Sequence, residues 1–318
     1  MTTTPPPVPA LVTGGVGDDD AGTQSSRRGL GLDQRAAKAK KRLTSPWASL
    51  LAAVIAILWT IPTFGLLITS IRPQSDINRT GWWTFFTNPT VTGANYQEAM
   101  FGSQTNLAVY FVNSIVITLP SVVIPITLAL LAAYAFAWIE FKGRNVLFVA
   151  VFALQVVPIQ VTLIPLLTQY VTWGLAGSFW TVWLSHSIFA LPLAIFLLHN
   201  FMKDIPPSLI EAARVDGAGH VKIFFQVLLP LLVPAIASFA IFQFLWVWND
   251  LLVALTFAGG TRNVAPLTVR VAELSGTRGA DWHLLSAGAF ISMIVPVVVF
   301  LALQRYFVRG LLAGSVKG

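Results

Sequence analysis

The sequence contains no cysteine, which excludes disulfide bonds and thiolate metal sites. Charge is also scarce. Asp, Glu, Lys and Arg together make up 10% of the 318 residues, where a soluble chain carries about 25%. The shortage is uneven, with no charged residue in 43–71, 99–139, 145–202, 223–249 or 282–304. No Asp, Glu, Lys or Arg therefore falls in the middle of a long apolar run. An ion-coupled secondary transporter commonly places such groups at the membrane midplane, and a membrane-embedded enzyme needs paired titratable groups or a nucleophile with a base. Both readings lose their footing here. There is no G-x-x-x-x-G-K-[ST] phosphate cradle, so the chain is not expected to be an ATPase. The four histidines, His186, His199, His220 and His283, show no H-E-x-x-H spacing. No metal, cofactor or catalytic residue is expected.

What the chain has in abundance is apolar length. Hydrophobic residues reach 55% and the mean hydropathy is +0.73. A helix crossing the hydrocarbon core needs roughly 20 such residues. Four of the uncharged runs allow one crossing each. The run 145–202 is too long for one and divides at Trp173-Gly174-Leu175-Ala176-Gly177-Ser178. Six spans are predicted, near 47–71, 108–138, 146–171, 179–201, 229–257 and 285–305. Closed barrels also satisfy backbone groups in lipid, but they need short alternating strands. The fold class expected is an all-α integral membrane protein with six transmembrane helices.

Basic residues set the orientation. With the N-terminus cytoplasmic, fifteen Lys and Arg fall inside and five (Arg72, Arg79, Arg262, Arg270 and Arg278) outside. Both termini are then cytoplasmic. The net charge of +7 reflects this topology, and no nucleic-acid partner is implied. The first 40 residues lack an apolar core, so no cleavable signal is expected. Residues 1–41 read as a disordered basic tail that ends in RAAKAKKR (35–42), beside anionic lipid headgroups. The outer segments are 72–107, rich in aromatics (Trp82, Trp83, Phe85, Phe86 and Tyr96), and 258–284.

The inner loop between the fourth and fifth spans, 206–228, is the most informative stretch. Pro206 and Pro207 suit a helix start, and Ser208-Leu-Ile-Glu211 fits an S-x-x-E capping box. A short helix is predicted through Glu211, Ala212, Ala213 and Arg214. Gly217 and Gly219 then punctuate the chain, and a second amphipathic stretch runs from Val221 to Leu229-Pro230. The result is a helix–turn–helix lying on the cytoplasmic face, with small residues that permit close approach of another protein.

The stretch EAARVDGAGHVKIFFQVLLPLLVP (211–234) resembles the coupling loop of ABC-importer permeases. The form EAA-x-x-DGA is similar to that of carbohydrate importers. FVNSIVIT (111–118), AAYAFAW (132–138), Pro158-Ile159-Gln160, WVWNDLL (246–252) and QRYFVRGLLAGSVKG (304–318) look like the second permease of maltose and α-glucoside importers. The resemblance covers roughly 47–318 and implies a type I ABC importer permease fold, with the type-1 domain over 108–308. By that resemblance Glu211, Ala212, Ala213, Asp216, Gly217 and Ala218 dock on the ATPase. The tail 309–318, with Gly314, Ser315 and Lys317, resembles one that reaches between two ATPase subunits. Arg305, Arg309 and Lys317 also fit plain positive-inside anchors. The implied partners are a second permease subunit in a heterodimer, two copies of a cytoplasmic ABC ATPase, an extracytoplasmic solute-binding protein, the sugar and the lipid bilayer.

Polar residues inside spans mark a candidate solute path. Gln243, Trp246, Asn249 and Asp250 lie on one face of the fifth span by helical spacing. An indole suits the apolar face of a sugar ring, and amides and carboxylates suit its hydroxyls. Interfacial anchoring of Trp246 and a mild outer position for Asp250 fit the same residues. Asn113, Gln155 and Gln160 are further candidates for the path or for helix–helix hydrogen bonds. The solute is left open among α-glucosides, maltose, trehalose, other oligosaccharides and glycerol-phosphate.

Overall fold

The computed structural model describes the backbone of residues 46–276, 279 and 281–315, and side chains as far as Gln304. Among the described residues there are helices and no strands. The chain divides into two compact units, residues 1–64 and 65–318. The described part of the first unit, 46–64, belongs to α1 (Pro46–Ser70), a continuously apolar helix. Its Thr60 hydroxyl donates to the Ala56 carbonyl, so this polar group is satisfied within the helix.

The second unit begins at Gly65, in the last turns of α1, and α2 (Gln74–Ile77), a 3-10 turn over Trp82–Phe86 and α3 (Ala94–Phe101) follow closely. This segment is pinned from inside. Arg72 is buried and donates to the Gly81 carbonyl and to the hydroxyls of Thr80 and Thr84. The Asn95 amide donates to the carbonyls of Ser70 and Arg72 at 2.9 and 2.8 Å. The aromatic-rich stretch is thus a folded element held together by buried polar groups.

The helices that follow are α4 (Leu107–Trp138), α5 (Arg144–Ala153), α6 (Ile159–Thr172), α7 (Phe179–Lys203), α8 (Pro207–Val215) and α9 (His220–Trp248). After them come α10 (Leu252–Phe257), α11 (Leu267–Ser275) and α12 (Trp282–Ser315). Helices α4 and α7 pack along each other, and α9 lies against α4, α7 and α12. Small residues allow this approach: Ala129, Ala133, Ala190 and Ala194 are all buried in the central cluster with Leu198, Met202 and Leu232. Close packing of small side chains is the usual basis of helix association in membranes.

Three expected spans differ in shape from the prediction. The third, expected as one helix over 146–171, is a pair bent by 100° between Arg144–Val156 and Ile159–Thr172. The break falls where Val157 precedes Pro158. The proline ring forces the residue before it out of the helical region, and Val157 has φ −71° and ψ 118°. Among the described residues five helices are long and apolar enough to cross a membrane, six if this bent pair counts as one span.

The fifth span, expected over 229–257, begins earlier and ends earlier. It starts at His220 and stops at Trp248. Asn249 turns its amide back to the Leu245 carbonyl at 2.7 Å, and the Asp250 carboxylate accepts the backbone amides of Val253 and Ala254. Such side chains compete with the helix ladder and start a new helix instead. The sixth span, expected over 285–305, is part of a 34-residue helix. Its backbone stays helical through Ser315.

Candidate functional site

The inner loop folds as two helices joined by a tight turn, though not by the cap expected. Ser208 is the second residue of α8, and Pro206 holds the N-cap position with no side-chain cap hydrogen bond. Pro207 is the first helical residue, where its missing N–H costs nothing, so the Pro-Pro pair sets the start and the S-x-x-E box does not form. Ile210 is 2% exposed and Ala213 is half-buried, both against the central cluster. Their three-residue spacing seats one face of α8 and leaves Glu211, Ala212, Val215 and Asp216 exposed on the other.

The turn after α8 is a Schellman motif. The Ala218 amide donates to the Ala213 carbonyl at 2.9 Å and the Gly217 amide to the Arg214 carbonyl at 3.0 Å. Gly217 has φ +76°, a left-handed conformation that glycine adopts without penalty. Ala213 and Ala218 both pack on the central cluster, the apolar contact that usually accompanies this motif. Of the six residues predicted for coupling, Ala213, Gly217 and Ala218 therefore shape the loop. Glu211, Ala212 and Asp216 present its surface.

Helix α9 starts immediately after Gly219 and carries the loop into the membrane without a break. Its segment Ile223–Leu228 is a π-helix. The cause lies just beyond it. Pro230 has no N–H to offer the Gln226 carbonyl and its ring crowds that carbonyl, and a widened turn relieves the crowding. Such turns inside α-helices are frequent at functional sites. On the facing helix, the Tyr134 hydroxyl shares a 2.7 Å hydrogen bond with His220 Nδ1, and the Tyr134 ring stands edge-on to His220 and Phe224. Sequence reading missed this pair: Tyr134 lies in AAYAFAW and His220 in the loop stretch 211–234, but 86 residues separate them and neither stretch signals contact with the other.

The predicted solute-path residues divide into two groups. Gln243 and Trp246 line a cavity of about 240 Å³ with Gln155, Phe189, Phe239 and Phe242. Gln155, Ile159 and Phe189 also line a larger cavity of about 660 Å³ at the bend between α5 and α6. The two cavities share these three residues, so they adjoin. Gln243 is 1% exposed and donates to the Ser121 carbonyl, which ties α9 to α4.

Asn249 and Asp250 do not join that cavity. Asn249 closes α9, and Asp250 starts α10 while its backbone carbonyl accepts the Thr268 hydroxyl at 2.7 Å. The Asp250 carboxylate lies 3.7 Å from His186 Nε2, and the His186 ring is edge-on to Trp246. Asn113 is likewise structural. Its amide donates to the carbonyls of Arg262 and Ala265, both at 3.0 Å, and Ser114 next to it accepts the Leu267 amide. These bonds clasp the second outer segment to α4. Gln160 is exposed and lines neither cavity. Gly314 and Ser315 lie on the backbone of α12, and Lys317 and the 1–41 tail lie outside the described residues.

Long apolar helices, one pair of them bent at a proline, together with a two-helix loop seated on the central cluster, are the architecture of a polytopic membrane protein. The family described as the binding-protein-dependent transport system inner membrane component matches residues 125–312. The chain belongs to that family and is the permease subunit of an ABC importer, with no catalytic role of its own. It is 57% identical over 267 residues to the osmoprotective compounds uptake permease protein GgtD of a Synechocystis strain, covering 83% of this chain and 89% of that one. It is 48% identical over 257 residues to the α-glucoside transport system permease protein AglG of Rhizobium meliloti, covering 79% and 67%. Its fold matches a chain in the crystal structure of a bacterial ABC transporter that imports the acidic polysaccharide alginate. The TM-score there is 0.66 at 21% identity, over 83% of this chain and 98% of that one.

Proposed function

We propose that this subunit moves a carbohydrate, an α-glucoside, maltose or a similar oligosaccharide, across the inner membrane, driven by ATP hydrolysed on a separate subunit. The observation that carries the coupling half of this reading is the loop 206–228. One face of α8 is seated on the bundle, and the opposite face shows Glu211, Ala212 and Asp216 without bulky cover. Small side chains at the tip let another protein's backbone come close. Two copies of a cytoplasmic ATPase dock there and on the equivalent loop of a second permease. A solute-binding protein delivers the sugar from outside, and both termini lie in the cytoplasm, in keeping with the distribution of Lys and Arg.

The sugar half draws on the α-glucoside relative and on the cavity beside Gln243 and Trp246, where amides and ring faces meet. The osmoprotectant relative supports a second reading, in which the solute is an osmoprotective compound. Reconstituting the permease pair, ATPase and binding protein in proteoliposomes tests both. ATP-dependent uptake of radiolabelled maltose is expected. Uptake of glycine betaine without maltose would favour the second reading, and solute movement without ATP would overturn the coupling assignment.

A further inference from the structure

We propose that Tyr134 is a positioning residue for energy coupling, which holds the start of α9 to the cytoplasmic end of α4 through His220. The inference rests on the reading of 206–228 as the ATPase-docking loop, and adds how movement of that loop reaches the membrane helices.

A push on α8 travels through the short link Gly217–Gly219 to His220, the first residue of α9. Beyond His220 lies the π-turn Ile223–Leu228, where the regular ladder of an α-helix is interrupted. A displacement arriving there alone can be absorbed by bending, since π-turns are among the places where helices kink. Tyr134 bypasses this compliant segment. It is only 8% exposed, and its ring packs against Phe224 at the base of the π-turn while its hydroxyl bonds His220 one turn earlier. His220 itself is largely exposed. Solvent would satisfy its imidazole as well, so the ring is held inward by this bond and not by burial.

The other end of the contact is stiff. Tyr134 sits in the last turns of α4, where Ala133, Phe136 and Ala137 are buried with it. Helix α4 packs along α7, and Gln243 of α9 bonds the Ser121 carbonyl farther up the same helix. Helices α4 and α9 are thus joined on both sides of the π-turn, at Tyr134–His220 and at Ser121–Gln243. Loop movement then displaces the pair of helices together. Without the lower joint, the same movement is spent in the π-turn.

The test uses the complete importer in proteoliposomes, with ATP hydrolysed and solute transported measured on the same samples. Tyr134→Phe keeps the ring and its packing on Phe224 and removes the hydroxyl. We expect binding-protein-stimulated ATP hydrolysis to persist while solute moved per ATP falls about three- to tenfold, the range one net hydrogen bond controls. His220→Ala should give the same loss, and the double variant no more than either alone, because the two residues act as one contact. His220→Gln, which can still bond a phenol, should recover part of the ratio. An unchanged ratio in Tyr134→Phe, additive losses in the double variant, or lower complex yield with a normal ratio would each overturn the proposal. The substitution Ala212→Cys keeps the two readings apart. If it crosslinks to the ATPase while the ratio does not respond, the tether alone fails. If it does not crosslink in the otherwise unaltered complex, the docking reading fails and the tether with it.

Discussion

The backbone amide of Ala218 reaches back 2.9 Å to the carbonyl of Ala213, and the residue that lets it do so is Gly217 at φ +76°. A β-carbon added at Gly217 would meet nothing within 4 Å. Inside the subunit, then, a side chain there is opposed by backbone strain of about 1–2 kcal/mol and by no clash. Outside it, a side chain projects where the ATPase is expected.

This separates two effects at Gly217. Asn tolerates the left-handed region, so Gly217→Asn should leave the turn and the amount of membrane protein nearly unchanged. Gly217→Leu carries the strain as well and should lower the amount. Both add bulk at the docking surface, and both should reduce co-purification of the ATPase and uptake at least about tenfold, equivalent to roughly 1.4 kcal/mol of docking free energy. Normal ATPase recovery and uptake with Gly217→Asn would show that the glycine serves the turn alone.

The loop was legible because its signals are local. Pro-Pro, the EAA run, Asp-Gly-Ala and Leu-Pro each fix the backbone within a few residues, and together they gave both helices and the turn. The spans were legible as lengths of uncharged sequence, but their shapes were not. Hydropathy does not register that Val157-Pro158 bends a run by 100°, nor that Asn249 and Asp250 end α9 and start α10. The solute-path residues were the least legible. Helical spacing put Gln243, Trp246 and Asp250 on one face, as if the helix continued. Termination at Trp248 took Asp250 into a cap, and Gln155, on a different helix pair, took its place at the cavity.

The topology carries a prediction of its own. Reporter fusions at residues 142 and 210 should be cytoplasmic, and those at 90, 176 and 268 external. Residues 142 and 176 flank the bent pair α5–α6. Opposite exposure at these two sites makes the pair one crossing and the total six. The same exposure at both would make it re-entrant and leave five.

The cavity shared by Gln155, Gln243 and Trp246 is testable because the chain has no cysteine. Gln155→Cys introduces the subunit's single thiol at the junction of the two cavities. A small thiol reagent should label it, and transported sugar, in the ATP-trapped complex, should slow that labelling several-fold. Trp246→Ala should lower uptake per molecule of permease without changing sugar affinity of the isolated binding protein. If uptake falls only in proportion to permease abundance, Trp246 is a packing residue against His186 and not part of the path.

The last prediction concerns the end of α12. Its apolar stretch, Trp282–Gln304, is 23 residues, about the length needed to cross the membrane. The whole helix has 34 residues and at 1.5 Å per residue is about 51 Å long, against a hydrocarbon core of about 30 Å. The residues after Gln304 add about 16 Å of helix, more than a headgroup layer of about 5–8 Å, and they do so without a break, with Gly314 and Ser315 in the last turn. A projecting helix end of small residues reaches further and more rigidly than a frayed tail, which favours contact with the ATPase subunits over a passive role at the headgroups. Deleting 313–318 separates the two. It removes Gly314, Ser315 and Lys317 but keeps Arg305 and Arg309. Anchoring needs only those arginines and predicts transport unchanged. Contact predicts a complex that assembles in the correct orientation, hydrolyses ATP at its basal rate and loses most of its stimulation by the loaded binding protein. Stimulation equal to that of the full chain would rule the contact out.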